Sequence, residues 1–167
     1  MSNTVKFENT TLYTIEVPNG VIGFDVQDHT NIQRLKEMYN IIDKADSGYK
    51  GKIQLASKKN DTKKDKCGMT EKDNAELKAY DFYINEIEKA IDLFFGEGSC
   101  NKIFYEPILN RVSITQLKVE LFMLDLLPPH FENAGLKADK VLEERLSKRN
   151  RFVKKDKEVI DLDEESE

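Results

Sequence analysis

The sequence predicts a mainly α-helical α+β domain, an amphipathic helix bundle with a small N-terminal β-hairpin. Two observations lead there. Three long segments carry apolar residues at three- and four-residue spacing, the pattern of helices with one buried stripe. Only residues 5–26 alternate like strands, and they do so around a turn signal. With 167 residues there is material for one domain with a real core. That domain is expected over residues 1–152, followed by an acidic disordered tail at 153–167.

The hairpin is expected within residues 5–26. Leu12, Ile15 and Val17 alternate loosely with polar residues, and 21–26 does so again. Pro18-Asn19-Gly20 lies between, and Asn-Gly between apolar runs favours a type I′ turn, in which both central residues need positive φ. An isolated hairpin is marginal in water, so it must pack on the helices.

The first helix is expected over about 28–46. Asp28 or Thr30 can cap it, its stripe is Ile32, Leu35, Met38, Tyr39 and Ile42, and Ser47-Gly48 should end it. Residues 49–69 then read as a flexible basic loop, with seven lysines offset only by Asp61 and Asp65. Such a loop is either a contact patch or a solvated insertion, and the bland reading is preferred because aromatics for nucleic-acid stacking are missing.

The second helix, about 70–95, opens on Thr70 and Asp73, a capping-box pattern with Asp in place of Glu. Leu77, Tyr80, Ile84, Ile87, Ile91 and Phe94 form its seam, and Gly96 is the candidate C-cap. Ser99 should cap a short turn through Ile103 and Phe104, and Pro107 breaks the chain. The third helix is expected over about 113–150. It starts at Ser113 or Thr115, turns Leu117, Leu121, Leu124 and Leu127 inward, and is kinked or restarted by Pro128-Pro129. Phe131, Ala134, Ala138, Val141, Leu142 and Leu146 continue the period.

Composition narrows function. Charged residues make up 34% of the chain and the formal net charge is -5, which argues against general nucleic-acid binding. The first residues lack an apolar leader, and no apolar run reaches the roughly 20 residues of a membrane span. The chain is therefore expected to stay in the compartment where it is made, with no membrane partner. Cys67 and Cys100 could form one disulfide, but isolated cysteines in such a chain read better as free thiols.

The search for chemistry is largely negative. His29 and His130 lie in separate segments without metal-ligand spacing. The Gly96-Glu97-Gly98-Ser99 run follows a helix and lacks the Gly-Lys-Ser/Thr of a phosphate loop. Cys100 sits where a helix N-terminus would lower its pKa, but no His base accompanies it. The expectation is a protein that is not an enzyme and needs no cofactor or metal. Residues 159–165, Val-Ile-Asp-Leu-Asp-Glu-Glu, resemble a SUMO-interacting motif, a pattern common in acidic tails.

One stretch carries a family resemblance. Residues 87–104, IEKAIDLFFGEGSCNKIF, resemble small tail-assembly proteins of long-tailed bacteriophages and prophages of Gram-positive bacteria. In those proteins an amphipathic helix ends in a Phe-Gly-Glu-Gly turn, followed by a short helix ending in an Ile-Phe-like pair. The likeness covers roughly 5–151 by order of parts and is most specific over 95–104. The chain departs from it in Tyr105-Glu106-Pro107, where a Gly-rich turn is common, and in a longer lysine-rich loop.

The resemblance implies a tail assembly chaperone. It would bind the helical tape-measure protein, and possibly the tail tube protein, in the host bacterial cytoplasm, without nucleotide, and be absent from the mature virion. The residues suited to such contacts are Ile87, Ile91, Phe94, Phe95, Ile103, Phe104, Leu117, Leu121 and Leu124, with self-association into a homo-oligomer a further use of the same faces. The alternatives are a structural tail-completion or adaptor protein of the virion and a host-directed inhibitor that binds a protein.

Residues 156–167 carry seven acids and only Val159, Ile160 and Leu162 as large apolar side chains, too little to build core. Deleting them is expected to leave the melting temperature within a few degrees of the parent, measured by circular dichroism.

Overall fold

The computed structural model describes residues 11–136. The expected strand residues 5–10, the continuation of the third helix over 137–150 and the acidic tail lie outside them. Within the described residues the molecule is mainly helical with a small N-terminal antiparallel hairpin. The order is β1 (Leu12–Val17), β2 (Gly20–Asp25), α1 (Asn31–Ala56), α2 (Glu71–Phe95), α3 (Ser99–Phe104), β3 (Tyr105–Glu106), β4 (Arg111–Val112) and α4 (Gln116–Glu120). A π-helical turn (Leu121–Leu126) and α5 (Leu127–Asn133) complete it.

In the hairpin Val17 pairs with Gly20 and Ile15 with Ile22, leaving Pro18 and Asn19 as the two loop residues. This is not the expected type I′ turn. Proline fixes φ near −65°, and among the described residues only Asn110 is a non-glycine with positive φ. The positive φ falls on Gly20, one residue later, at 145°. Tyr13, Ile15 and Val17 share the inward face, so Leu12, one residue out of step with them, lies on the other face and is exposed.

Helix α1 starts at Asn31, where Asp28 accepts hydrogen bonds from the Thr30 N–H at 2.8 Å and its hydroxyl at 2.7 Å. The expected stripe is buried from Leu35 to Ile42, with Ile32 half-buried. The helix does not stop at Ser47-Gly48. It runs on to Ala56, taking in residues 49–56 of the segment expected as loop. The reason lies in its partner: α2 packs antiparallel against α1, and a Cβ on Gly48 would come within 2.9 Å of the Phe82 ring. Here glycine makes room for a neighbouring ring and does not break the helix; the packing gained outweighs its roughly 1 kcal/mol helix penalty. Tyr49 stacks near Tyr83 at 5.4 Å, and the Lys52 ammonium lies 4.8 Å from the Phe82 ring centre.

The capping box of α2 is complete: the Asp73 N–H donates to the Thr70 hydroxyl at 3.1 Å, and the Thr70 N–H donates to the Asp73 carboxylate at 3.0 Å. Donation to that carboxylate from the Thr70 N–H, and next from the Thr70 hydroxyl, holds the Asp73 carboxyl below the usual carboxylate range. The buried seam is Ala79, Tyr83, Ile87, Ala90, Ile91 and Phe94. The expected seam was rotated at its start: Leu77 is exposed, while Tyr80 and Ile84 are half-buried. Close helix pairs bury small residues along the contact line, and Ala45, Ala79 and Ala90, none of them in the expected stripes, are buried.

Gly96 ends α2 with φ 102°, a conformation only glycine adopts without strain. Ser99 does not cap α3. Asp92, still within α2, accepts from the Gly98 N–H at 3.3 Å and the Cys100 N–H at 3.0 Å. One carboxylate therefore holds both sides of the reversal.

The third helix is not continuous over 113–150. Thr115 caps it, accepting from the Lys118 N–H at 3.2 Å. It then widens into the π turn and ends at Asn133. The Leu136 N–H returns to the Phe131 carbonyl at 3.0 Å and the Gly135 N–H to Glu132 at 3.0 Å, a Schellman closure. The inward residues are Val119, Phe122, Met123, Leu127 and Phe131, whereas Leu117, Leu121 and Leu126 are exposed. Four-residue steps from 119 to 131 drift around an α-helix, and one π turn, with its extra residue, brings them back onto one line. Pro128 and Pro129 fall in the first turn of α5, where no N–H is required.

These positions set a stability test. Gly51 is helical, with nothing within 4 Å of an added Cβ, so Gly51→Ala is expected to stabilise by about 0.5–1 kcal/mol. Gly96→Val is expected to cost about 1 kcal/mol or more. Urea unfolding midpoints read both.

Candidate apolar groove

Three segments meet beside the C-terminal end of α2 and leave a groove of about 410 Å³ between them. Its floor is buried core: Ile15 of β1, Phe104 of α3, and Phe122 and Leu127 of the third helical segment. One wall is the hairpin turn, Val17 to Asn19. Another is the stretch from Ile103 to Pro107. The third is Lys118, Leu121, Leu126 and His130.

Named hydrogen bonds hold the walls. The Asn19 side chain donates to the Tyr105 carbonyl at 2.6 Å and the Asn19 N–H to the Lys102 carbonyl at 3.0 Å. The turn is thereby fixed to the end of α3. Lys102 Nζ donates to the Val21 carbonyl at 3.2 Å. Tyr13 and His130 Nδ1 share a bond of 3.0 Å, joining β1 to α5. The Tyr39 hydroxyl donates to the Met123 carbonyl at 3.3 Å, which anchors the π turn to α1, and the Tyr80 hydroxyl donates to the Ile114 carbonyl.

The groove's polar members are few and partly engaged within the protein. Lys118 Nζ donates to the Ser113 carbonyl and hydroxyl, both at 3.1 Å, and Glu106 accepts from the Ile108 N–H at 3.2 Å. Around it stand apolar side chains left in water. Leu121 is 46% exposed, Leu126 59% and Leu117 66%, while Ile108, at the tip of the β3–β4 hairpin, is 92% exposed.

The nine residues expected to meet a partner divide sharply. Ile87 and Ile91 are fully buried, and Phe94 nearly so; they are core and have no surface to offer. Phe95 is half-buried, 4.7 Å from Phe94 and 6.3 Å from Phe122. Phe104 also packs on Phe122, at 6.0 Å. Ile103, Phe104 and Leu121 line the groove; Leu124 is half-buried and Leu117 is exposed without lining it. The expected inward orientation of Leu117 and Leu121 is reversed, and the reversal is what makes them available.

Sequence reasoning missed Leu126, the hairpin turn and the β3–β4 hairpin as parts of this surface. Leu126 had a signal: it lies off the four-residue line from 119 to 131. The turn had none, because its place beside α3 is a tertiary fact.

Among the described residues, no group of three or more His, Cys, Asp or Glu could hold a metal ion, and no helix is long and apolar enough to cross a membrane. Cys100 lies in the first turn of α3 but is buried. Burial, followed by the nearby charges of Asp92 and Glu88, pushes its thiol up to about 12, opposite to the helix-terminus expectation. Protein-family models, curated proteins and solved structures yield no match to this chain.

The two thiols are expected to differ in reactivity. Cys67 is exposed and Cys100 buried. A disulfide reagent at pH 8 is expected to modify Cys67 at once and Cys100 only as the protein unfolds. Equal native rates at both, read by peptide mass mapping, would contradict the burial.

Proposed function

We propose that this protein is an assembly chaperone whose groove takes the apolar face of a helix from a phage tape-measure protein before the tail tube forms. The observation that carries this reading is the groove with its leucine rim, built on a π turn and framed by the segment 95–104 that carries the family resemblance. Widened turns of this kind are frequent at functional sites. A groove of that shape suits helix-in-groove recognition.

The magnitudes are adequate. Fully burying a leucine-sized side chain contributes about 1.5–3 kcal/mol before ordering costs. Micromolar binding needs about 8 kcal/mol net. Leu117, Leu121, Leu126 and Ile108, with the partner's own anchors, reach that range. Weak contacts repeated along one tape measure would add avidity. The same leucines offer a surface for self-association. No step calls for nucleotide or metal, and the complex would belong to the host cytoplasm and leave no copy in the finished particle.

Co-expression with the tape-measure protein of the same genome tests the proposal. The tape measure is expected to become soluble and to co-purify with this chain. Leu121→Glu with Leu126→Glu is expected to abolish co-purification while moving the melting temperature by only a few degrees, because both side chains are already in water. Co-purification undiminished by the double variant would remove the groove from the reading. A tape measure equally soluble with and without the chain, and not co-purifying, would remove the chaperone role; recovery of the chain in purified particles would make it a virion subunit.

A further inference from the structure

The opposite end of the α1–α2 pair differs from the groove in charge. Residues 50–66 hold seven lysines against Asp61 and Asp65, and all of these are exposed. Both aspartates are engaged nearby. Asp61 lies 3.9 Å from Lys72 and accepts from the Thr70 hydroxyl at 3.4 Å. Asp65 accepts from the Cys67 and Met69 N–H groups at 2.8 and 3.0 Å and from Asn74 at 3.2 Å. Among the described residues, Lys58, Lys63, Lys64 and Lys66 have no carboxylate within 4.0 Å. The backbone beneath them is held: Asn60 accepts from the Thr62 and Lys63 N–H groups, and Lys64 bridges to Thr70. Two leucines are exposed at the same end, Leu55 at 62% and Leu77 at 50%.

We propose that this basic tip takes the acidic segment 156–167 of its own chain. The segment has seven carboxylates and one lysine, with Val159, Ile160 and Leu162 set among the acids. It matches the tip in both respects, carboxylates for the unpaired lysines and apolar side chains for Leu55 and Leu77. The reach is sufficient. Leu136 packs against the core with Phe131, which lies 5.7 Å from Phe94 at the last turn of α2. The tip is therefore one length of α2 away, about 37 Å for 25 residues. The 20 residues from Leu136 to Asp156 span at most about 66–72 Å.

The chain's own segment is favoured over that of a second copy because a linked partner acts at an effective concentration near the millimolar range. The basic stretch 148–155, with five cations, is closer in sequence. The tip is favoured over it because its backbone is already held, so less ordering is lost on pairing.

Zero-length carbodiimide cross-linking of the full chain tests this, with peptide mapping of the monomer band. Amide links are expected between Lys58–Lys66 and the acids of 156–167. Their yield is expected to be independent of protein concentration and to fall at least fivefold in 1 M salt, which screens exposed charge pairs. A labelled peptide of residues 156–167 is expected to bind the chain lacking that segment at least tenfold more tightly than the full chain, by fluorescence anisotropy. Replacing Lys58, Lys63, Lys64 and Lys66 with Gln, with the helical circular dichroism unchanged, should remove both signals. Links confined to 148–155, links found only in a dimer band, or a peptide that binds neither form or both forms equally would overturn the proposal.

Discussion

Phe94, in the last turn of α2, has Phe24 of β2 at 5.5 Å, Phe131 of α5 at 5.7 Å and Phe95 at 4.7 Å. Phe122 extends this packing to Phe95 and Phe104. Six aromatic rings from the hairpin, α2, α3, the π turn and α5 thus converge at one end of a long helix pair. Each edge-to-face pair adds about 0.5–1.5 kcal/mol beyond the area it buries. The larger effect is positional. Neither a two-stranded hairpin nor a six-residue helix is stable alone, and both are placed here by rings anchored on α2.

That convergence needs the chain to reverse immediately after Phe95, and the reversal is chemically specific. Gly96 takes a φ closed to other residues, and Asp92 accepts hydrogen bonds from two N–H groups of the next helix. With the direction of α3 set, Ile103 and Phe104 face the hairpin, and the groove follows as the space between them and the π turn. The π turn has two consequences. It keeps Val119, Met123, Leu127 and Phe131 on one inward line, and it leaves Leu121 and Leu126 outside. An apolar rim is therefore produced by the same local geometry that closes the core.

The molecule also separates its chemistry along its length. The aromatic end carries the apolar groove; the far end carries lysines on a loop held by its own Asx-type hydrogen bonds. About one length of α2 lies between them, well beyond the roughly 8 Å screening distance at physiological salt. Charge at the tip and apolar contact at the groove can therefore serve different partners without direct electrostatic interference.

Local chemistry made several features legible in the sequence alone. The α+β class, the Thr70–Asp73 capping box, the stripe from Leu35 to Ile42 and the positive φ of Gly96 each depend on residues within a few positions of one another. Features governed by distant partners were not legible. Gly48 reads as a stop until Phe82 is beside it. Leu117 and Leu121 read as core until the four-residue line of Val119, Met123, Leu127 and Phe131 claims the interior. The hairpin turn is a local exception: Pro18, next to Asn19 in sequence, takes a central turn position with a φ that a type I′ turn does not allow. Of the residues expected at a partner surface, Ile87, Ile91 and Phe94 went to the core, because helical periodicity identifies an apolar face without saying what covers it. The sequence determined which faces must leave water; only the tertiary structure decided which were covered by the protein itself, because burial depends on contacts between segments far apart in the chain.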